Sequence, residues 1–351
     1  MNQPLARITL PLLLGFPLAA LADVPKVAVD IPPVHSLVSQ VMGELGEPAL
    51  FMQQGASPHG YSLRPSEAQT LDDAELVVWV SNDLTPWLSS PLASMASDAA
   101  HLELMALEET QVLDYRDRSV ALMDTHDDHD GHDHDHDHDH DHDHDHDHDH
   151  DDHGHDDHGH DDHGHDDHGH DHHGHSHEGQ DPHGWLDPEN ARLWLDAIAR
   201  RLSTLDPENA DQYQSNATQA KADLLTLQMA LEEQFAEQPT PRFVVFHDAY
   251  QYFEHRFEVP SEGAISLGDA SDPSPARIEA LQQHVRENDI QCVFSEPQFN
   301  AAMVNNVFGD TPAVLGVIDP LGAELPLGPT LYDQLLRQLA DALEQCSAQQ
   351  G

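Results

Sequence analysis

A run of alternating histidine and aspartate divides this 351-residue chain and cannot itself join a folded core. Residues 124–178 hold 24 of the 31 His and 22 of the Asp, with no Leu, Ile, Val, Phe or Trp. With nothing apolar to bury, the segment cannot offset the entropy of ordering it and is expected to be disordered without a ligand. From 132 to 150 it alternates His and Asp strictly, then passes into repeats of DDHGH. Imidazole and carboxylate both ligate divalent transition ions, and imidazole favours zinc, copper, nickel and iron over calcium or magnesium. A flexible chain offers such ions many equivalent sites, so each is modest in affinity and the stoichiometry is high. Nothing in the tract preorganises one tight site.

Setting the tract aside leaves roughly 300 residues, enough for two lobes of about 100–150 residues each. The charge divides similarly. The 22 Asp and Glu178 of the tract contribute −23 of the formal −51, and the remainder still carries −28. A chain this acidic throughout does not bind nucleic acid by counterion release. Cations are its natural partners.

The first 22 residues read as a secretory signal peptide. Arg7 precedes the apolar stretch ITLPLLLGFPLAALA, which ends in Ala20-Leu21-Ala22, a small-residue cleavage pattern before Asp23. Pro11, Pro17 and an apolar length of about 15 residues argue against a membrane span, which needs roughly 20. No Cys follows that could carry a lipid, so the expected mature protein is periplasmic and not lipid-anchored. The chain's two cysteines, Cys292 and Cys346, read as one disulfide in an oxidising compartment, two buried thiols being the other reading. Paired, they tie a core strand to the C-terminal helix, a closure of about 4 kcal/mol on the chain-entropy model.

Short apolar runs, several of them rich in Val, at 26–31, 75–80, 101–105, 243–247, 290–295 and 313–318 mostly lack clean polar alternation, as parallel strands covered on both faces do. Helical patterns lie between them, at 35–45, 66–73, 275–288 and 330–346. The β/α alternation is interrupted by one long pattern that starts at Asp206-Pro207, read as N-cap and N1. From Ala210 through Tyr213, Ala217, Ala220, Leu224, Leu227 and Leu231 to Phe235, apolar residues recur every three or four positions. The helix is expected to end near Pro239 and to run about 45 Å. The fold class is therefore α/β: two β/α lobes with mostly parallel sheets joined by one long rigid helix, with a cleft between them. The boundaries are 1–22 signal peptide, 23–205 N-terminal lobe including the tract, 206–238 linking helix and 239–351 C-terminal lobe.

Seven His lie outside the tract, and three stand where a ligand would have to stand. His59 is in the Pro/Gly loop SPHGYSLRPSEA (57–68), just before a helix. His183 is in DPHGWLDPENAR (181–192), before a helix capped by Asp187-Pro188. His247 ends the strand FVVFH, at the carboxyl edge where open α/β sheets bind ligands. Asp319 ends the strand AVLGVI in the same way. Those segments, together with FVVFHDAYQYFEHRF (243–257), QCVFSEPQF (291–299) and IDPLG (318–322), resemble the metal-binding periplasmic receptors of ABC importers, specifically the zinc branch. The resemblance covers essentially the whole mature chain, with the motifs in family order.

The resemblance implies two β/α lobes joined by a rigid helix, with metal held in the cleft by His59, His183 and His247. It implies Asp319 or a water as fourth ligand, since Pro58 stands where some relatives place a Glu before the first His. It also implies a Cys292–Cys346 disulfide, gives His35 no ligand role, and makes an inner-membrane ABC permease the partner of a monomeric receptor. Three imidazoles suit zinc better than manganese. A receptor for manganese, nickel or iron and a periplasmic zinc buffer are the alternative readings. A zinc hydrolase with Glu296 as base is disfavoured, because no HExxH motif is present.

Overall fold

A computed structural model describes residues 24–116, 179–237, 241–266, 274–299 and 301–348. The expected signal peptide and the His-Asp tract lie outside the described residues.

Two four-stranded sheets, parallel throughout, form the frame. The first contains β1 (Val27–Val29), β2 (Ala49–Leu50), β3 (Leu76–Trp79) and β4 (Ala100–Glu103), in the order β2-β1-β3-β4. The second contains β5 (Phe243–His247), β6 (Ala264–Ser266), β7 (Cys292–Ser295) and β8 (Val314–Val317), in the order β6-β5-β7-β8. The two halves thus repeat one topology. In each, the chain runs outward from its first strand, then returns to that strand's other side. That reversal opens a crevice at the carboxyl ends of the two central strands. The six expected strands are all present; β2 and β6, two and three residues long, are too short to show a pattern in sequence.

The connecting helices α1 (Pro32–Met42), α2 (Pro65–Asp72) and α3 (Ser89–Met95) serve the first sheet. After the tract come α4 (Pro188–Leu205) and α5 (Ala210–Ala236), and the second sheet is served by α6 (Gln251–Phe257), α7 (Pro275–Glu287), α8 (Ala301–Phe308) and α9 (Leu331–Ala348). Asp187 caps α4 as expected, its carboxylate accepting from Glu189 N at 2.9 Å with Pro188 in the first turn. Asp206 does not cap the long helix. The chain makes a 3-10 turn at Pro207–Asn209, and the Asp206 carboxylate accepts instead from Asn209 Nδ2 (2.7 Å) and Tyr213 Oη (2.9 Å). The helix that follows, α5, is 27 residues long, about 40 Å. Its stripe from Tyr213 to Leu231 is buried along its length.

One hydrophobic cluster runs through both halves, taking in β1, β3, α1, α4, α5 and α9 together with Phe243, Val245 and Phe294 of the second sheet. A smaller cluster of Val244, Phe246, Ile265, Leu281, Val285 and Phe308 covers that sheet's other face. Alternate residues of β5 therefore face different cores, as the pleat requires. The halves meet through more than α5: Tyr332 at the start of α9 donates its hydroxyl to Trp185 O (2.6 Å) and its N–H to Ser36 Oγ (3.1 Å). Among the described residues no helix is long and apolar enough to cross a membrane.

Cys292 on β7 and Cys346 on α9 are disulfide-bonded across 54 residues of sequence. Both are buried, and neither lines the cavity between the sheets. On the chain-entropy argument the bond contributes about 4 kcal/mol. We expect the Cys292→Ser/Cys346→Ser double variant to unfold at a clearly lower urea concentration, by about that free energy, with metal affinity unchanged. An unshifted midpoint contradicts the first expectation and a weakened metal site the second.

Candidate metal centre

Each of the three isolated histidines is delivered by a differently braced segment. The loop carrying His59 is held from behind by Trp87, whose Nε1 donates to Pro58 O at 2.7 Å. Tyr61 cross-braces the loop, accepting from Gln53 N (3.0 Å) and donating to Glu67 Oε1 (2.7 Å). Gln54 ties it to the other half through Gly322 O (3.1 Å) and Leu325 O (2.6 Å). His183 lies in a tight turn that its own neighbour organises: Asp181 Oδ1 accepts from His183 N at 3.0 Å and from Nδ1 at 2.7 Å. Gly184 follows because a Cβ there would lie 2.4 Å from Met105 Sδ. Tyr252 of α6 fixes the same turn from the second half, its hydroxyl donating to Asp181 O (2.8 Å) and accepting from Leu113 N (2.9 Å). His247 is the last residue of β5, and Glu296 follows the adjacent strand β7, so the two sit together at the crevice of the second sheet. Both Glu296 oxygens lie against His247 Nδ1, at 2.8 and 2.9 Å.

These partners decide which way the imidazoles present their lone pairs. A carboxylate only accepts hydrogen bonds, so Nδ1 of His183 and of His247 carries the proton. Their Nε2 lone pairs then point into the space between the sheets. There His183 Nε2 lies 3.4 Å from His59 Nε2 and 3.3 Å from His247 Nε2. Ligand atoms of all three lie within 4.8 Å of one another. In a tetrahedral zinc site with Zn–N of 2.0–2.1 Å, adjacent nitrogens are about 3.3–3.4 Å apart. The cavity they enclose measures about 10 Å³, bounded also by Trp185, Gln298, Phe299 and Leu321. That is roughly the room of one water-sized sphere.

Asp319 is not brought into this group. Its Oδ1 accepts from Leu321 N (2.9 Å) and Gln298 Nε2 (2.8 Å), and its Oδ2 from Ala323 N (2.5 Å). The carboxylate that ends β8 is spent on the turn it opens. His35 is a satisfied core residue, bonded through Nε2 to Pro48 O at 2.9 Å. Asp181 and Gln298 went unnoticed in the sequence, and Glu296 entered only as a conceivable base. The signal for Asp181 is its place two residues before His183; that for Glu296 exists only once β5 and β7 are adjacent.

The family described as "Zinc-uptake complex component A periplasmic" matches residues 27–346. The chain belongs to this family. A high-affinity zinc uptake system protein ZnuA of Paracoccus denitrificans (strain Pd 1222) is 42% identical over 330 residues, 94% of each chain. One from Brucella abortus (strain 2308) is 39% identical over 333 residues, 91% of each. Among solved structures, a crystal structure of ZnuA superposes with a TM-score of 0.68 at 19% identity, over 93% of this chain and 100% of that one. A zinc-bound ZnuA deletion mutant superposes at 0.67 and 21% identity, over 93% and 98%. These two likenesses establish the two-lobed fold. The family is one of solute-binding receptors, and in this fold the Glu296 carboxylate lies against the His247 imidazole.

Burial, reinforced by the neighbouring His183 and His247, holds the His59 pKa well below 6.5. In the unfolded chain His59 takes a proton near 6.5. Below that pH the unfolded state binds a proton that the folded state refuses, so metal-free stability falls as pH drops. We expect His59→Gln to flatten this fall. Urea midpoints of metal-stripped protein at pH 7.5, 6.5 and 5.5 test it, and parallel profiles for the two proteins would contradict it.

Proposed function

We propose that this chain is the periplasmic zinc receptor of an ABC importer, with His59, His183 and His247 as the ligands that hold the cargo. One observation carries the reading: three Nε2 atoms stand 3.3–3.4 Å apart along two edges, with two of the rings aimed by buried carboxylates. An all-imidazole donor set favours zinc over manganese, which prefers oxygen. Preorganised rings, with His183 and His247 buried, give the tight capture that scavenging requires. The relatives' names as high-affinity zinc uptake proteins support the same reading.

Around that site the remaining assignments follow the sequence. Residues 1–22 export the chain, which works unlipidated and as a monomer. Residues 23–205 and 239–351 form the lobes, and 206–238 the linking helix. The cargo passes to the membrane permease of the importer. Release is by local movement of the loops carrying His59 and His183, because α5 and α9 both cross between the halves and resist a wide hinge. The tract 124–178 collects zinc. Its imidazoles have carboxylate neighbours that favour the protonated form and raise their pKa above about 6.5. Zinc must displace those protons, so tract binding is weak and falls steeply toward pH 6. Because the tract leads directly into Asp181 and His183, an ion caught on it stays at high effective concentration near the site.

Three measurements test this. Native mass spectrometry and competition titration of protein lacking 124–178 are expected to show one tightly held zinc, against several in the full chain. Asp181→Ala is expected to weaken that zinc by about 10–100-fold, and His59→Ala by more. Unchanged affinity in the His59/His183/His247 triple Ala variant rules the ligand set out. Calorimetry at pH 7.5 and 6.0 separates the tract from the core, and a tract as tight and as pH-independent as the core contradicts the collector role.

A further inference from the structure

Resting on that ligand set, we propose that the chain on either side of the tract forms a latch that governs how fast the cargo leaves. Residues 113–116 pair with residues 179–181, and Arg116 fastens the resulting stem to the second half beside His247. The two pieces of chain are bonded to each other first. Asp114 and Gln180 form an isolated antiparallel bridge. On either side of it Tyr115 N donates to Gly179 O (3.1 Å) and Asp181 N to Leu113 O (2.8 Å). A displacement of the turn that carries His183 therefore drags residues 113–116 with it.

The stem is in turn held by α6, the helix that follows His247. Gln251 Nε2 donates to Asp114 O (3.1 Å), and Tyr252 Oη accepts from Leu113 N (2.9 Å). Arg116 then bridges two carboxylates of the second half, Glu254 at 2.5 Å and Asp248, the residue next to His247. Only 3% of the Glu254 side chain is exposed, and Ser261 Oγ donates to its Oε1 at 2.6 Å. Withdrawing the guanidinium from a carboxylate so deeply buried is costly, because the charge loses this cation without regaining water. Separating His183 from His247 thus has to pass through rupture of both Arg116 ion pairs. A hydrogen-bonded charge pair of this kind acts on departure more than on arrival. The latch is also ionic, unlike the apolar cluster shared by the halves, so salt weakens it.

The test follows zinc passing from the full mature chain to an excess of a chromogenic chelator. Ions on the tract are expected to leave in a fast phase and the core ion in a slow one. Arg116→Gln should speed the slow phase about tenfold or more, with the association rate unchanged. Raising salt from about 0.01 M to 1 M, which shortens the screening length from roughly 30 to 3 Å, should quicken the slow phase of the parent but not that of Arg116→Gln. A side chain that merely supports the fold would not remove this salt response. Arg116→Lys keeps the charge without the fork and should fall between the two. Hydrogen exchange of the metal-free proteins should show the Leu113, Tyr115 and Asp181 amides opening faster in Arg116→Gln, with β1 and β3 as protected as before. A slow phase as slow in Arg116→Gln as in the parent overturns the latch, as does a loss carried by the association rate. If Arg116→Gln loses protection throughout, Arg116→Lys decides, and a rate equal to the parent's overturns the latch. A parent with no slow phase at all means that the ligand set fails, and the latch with it.

Discussion

Three imidazoles from three separate segments bring their Nε2 atoms within 3.3–3.4 Å of one another along two edges, and everything around this cavity holds them there. Asp181 and Glu296 do so directly. By accepting hydrogen bonds from the Nδ1–H groups of His183 and His247, they forbid the tautomer in which an Nε2–H would face a neighbour and close the site. The same carboxylates raise the basicity of the Nε2 atoms that face the cavity. Buried anions of this kind are tolerable because other donors share them: His183 N for Asp181, and the extra contact of His247 N, at 3.4 Å, for Glu296.

Holding rings from opposite halves at fixed separation requires the halves themselves to be fixed. The shared hydrophobic cluster does most of this, and three polar clamps refine it. Arg256 of α6 grips both oxygens of Asp187, the residue that caps α4, at 2.8 Å each. Arg116, on the segment leading into the tract, pairs with Glu254 at 2.5 Å and with Asp248. Tyr252 joins the Asp181 turn to Leu113. Each clamp ends within a few residues of His183 or His247. A substitution at one of them therefore acts on the site through position, without touching a ligand.

The repeated strand order in the two sheets explains why so few residues suffice. Each sheet places a crevice at the carboxyl ends of its central strands. The second sheet fills its crevice with the His247–Glu296 pair, while the first half presents its histidines on the loops after β2 and before α4. The metal centre lies where one crevice meets two loops.

Much of this was legible in the residues. Runs of buried Val and the stripe from Tyr213 to Leu231 carry their own periodicity, so six of the eight strands and the long helix could be read locally. His59 and His183 stood out because each lies in a Pro/Gly-flanked loop just before a helix, and His247 because it ends a strand. Other features depend on residues far apart in sequence. Asp206 looks like a cap until Tyr213 competes for it. Glu296 becomes a partner of His247 only when β5 and β7 pair across 49 residues, and Asp319 passes for a ligand until Leu321, Ala323 and Gln298 occupy its oxygens. Sequence by itself determined which of the longer strands and helices could form and which side chains could bind a divalent transition ion, because period and ligand chemistry are local properties. Only the tertiary structure decided which carboxylates lie against histidines and which are taken up by backbone N–H groups, because hydrogen-bond donors compete for the same oxygens and their order is set by packing between distant elements.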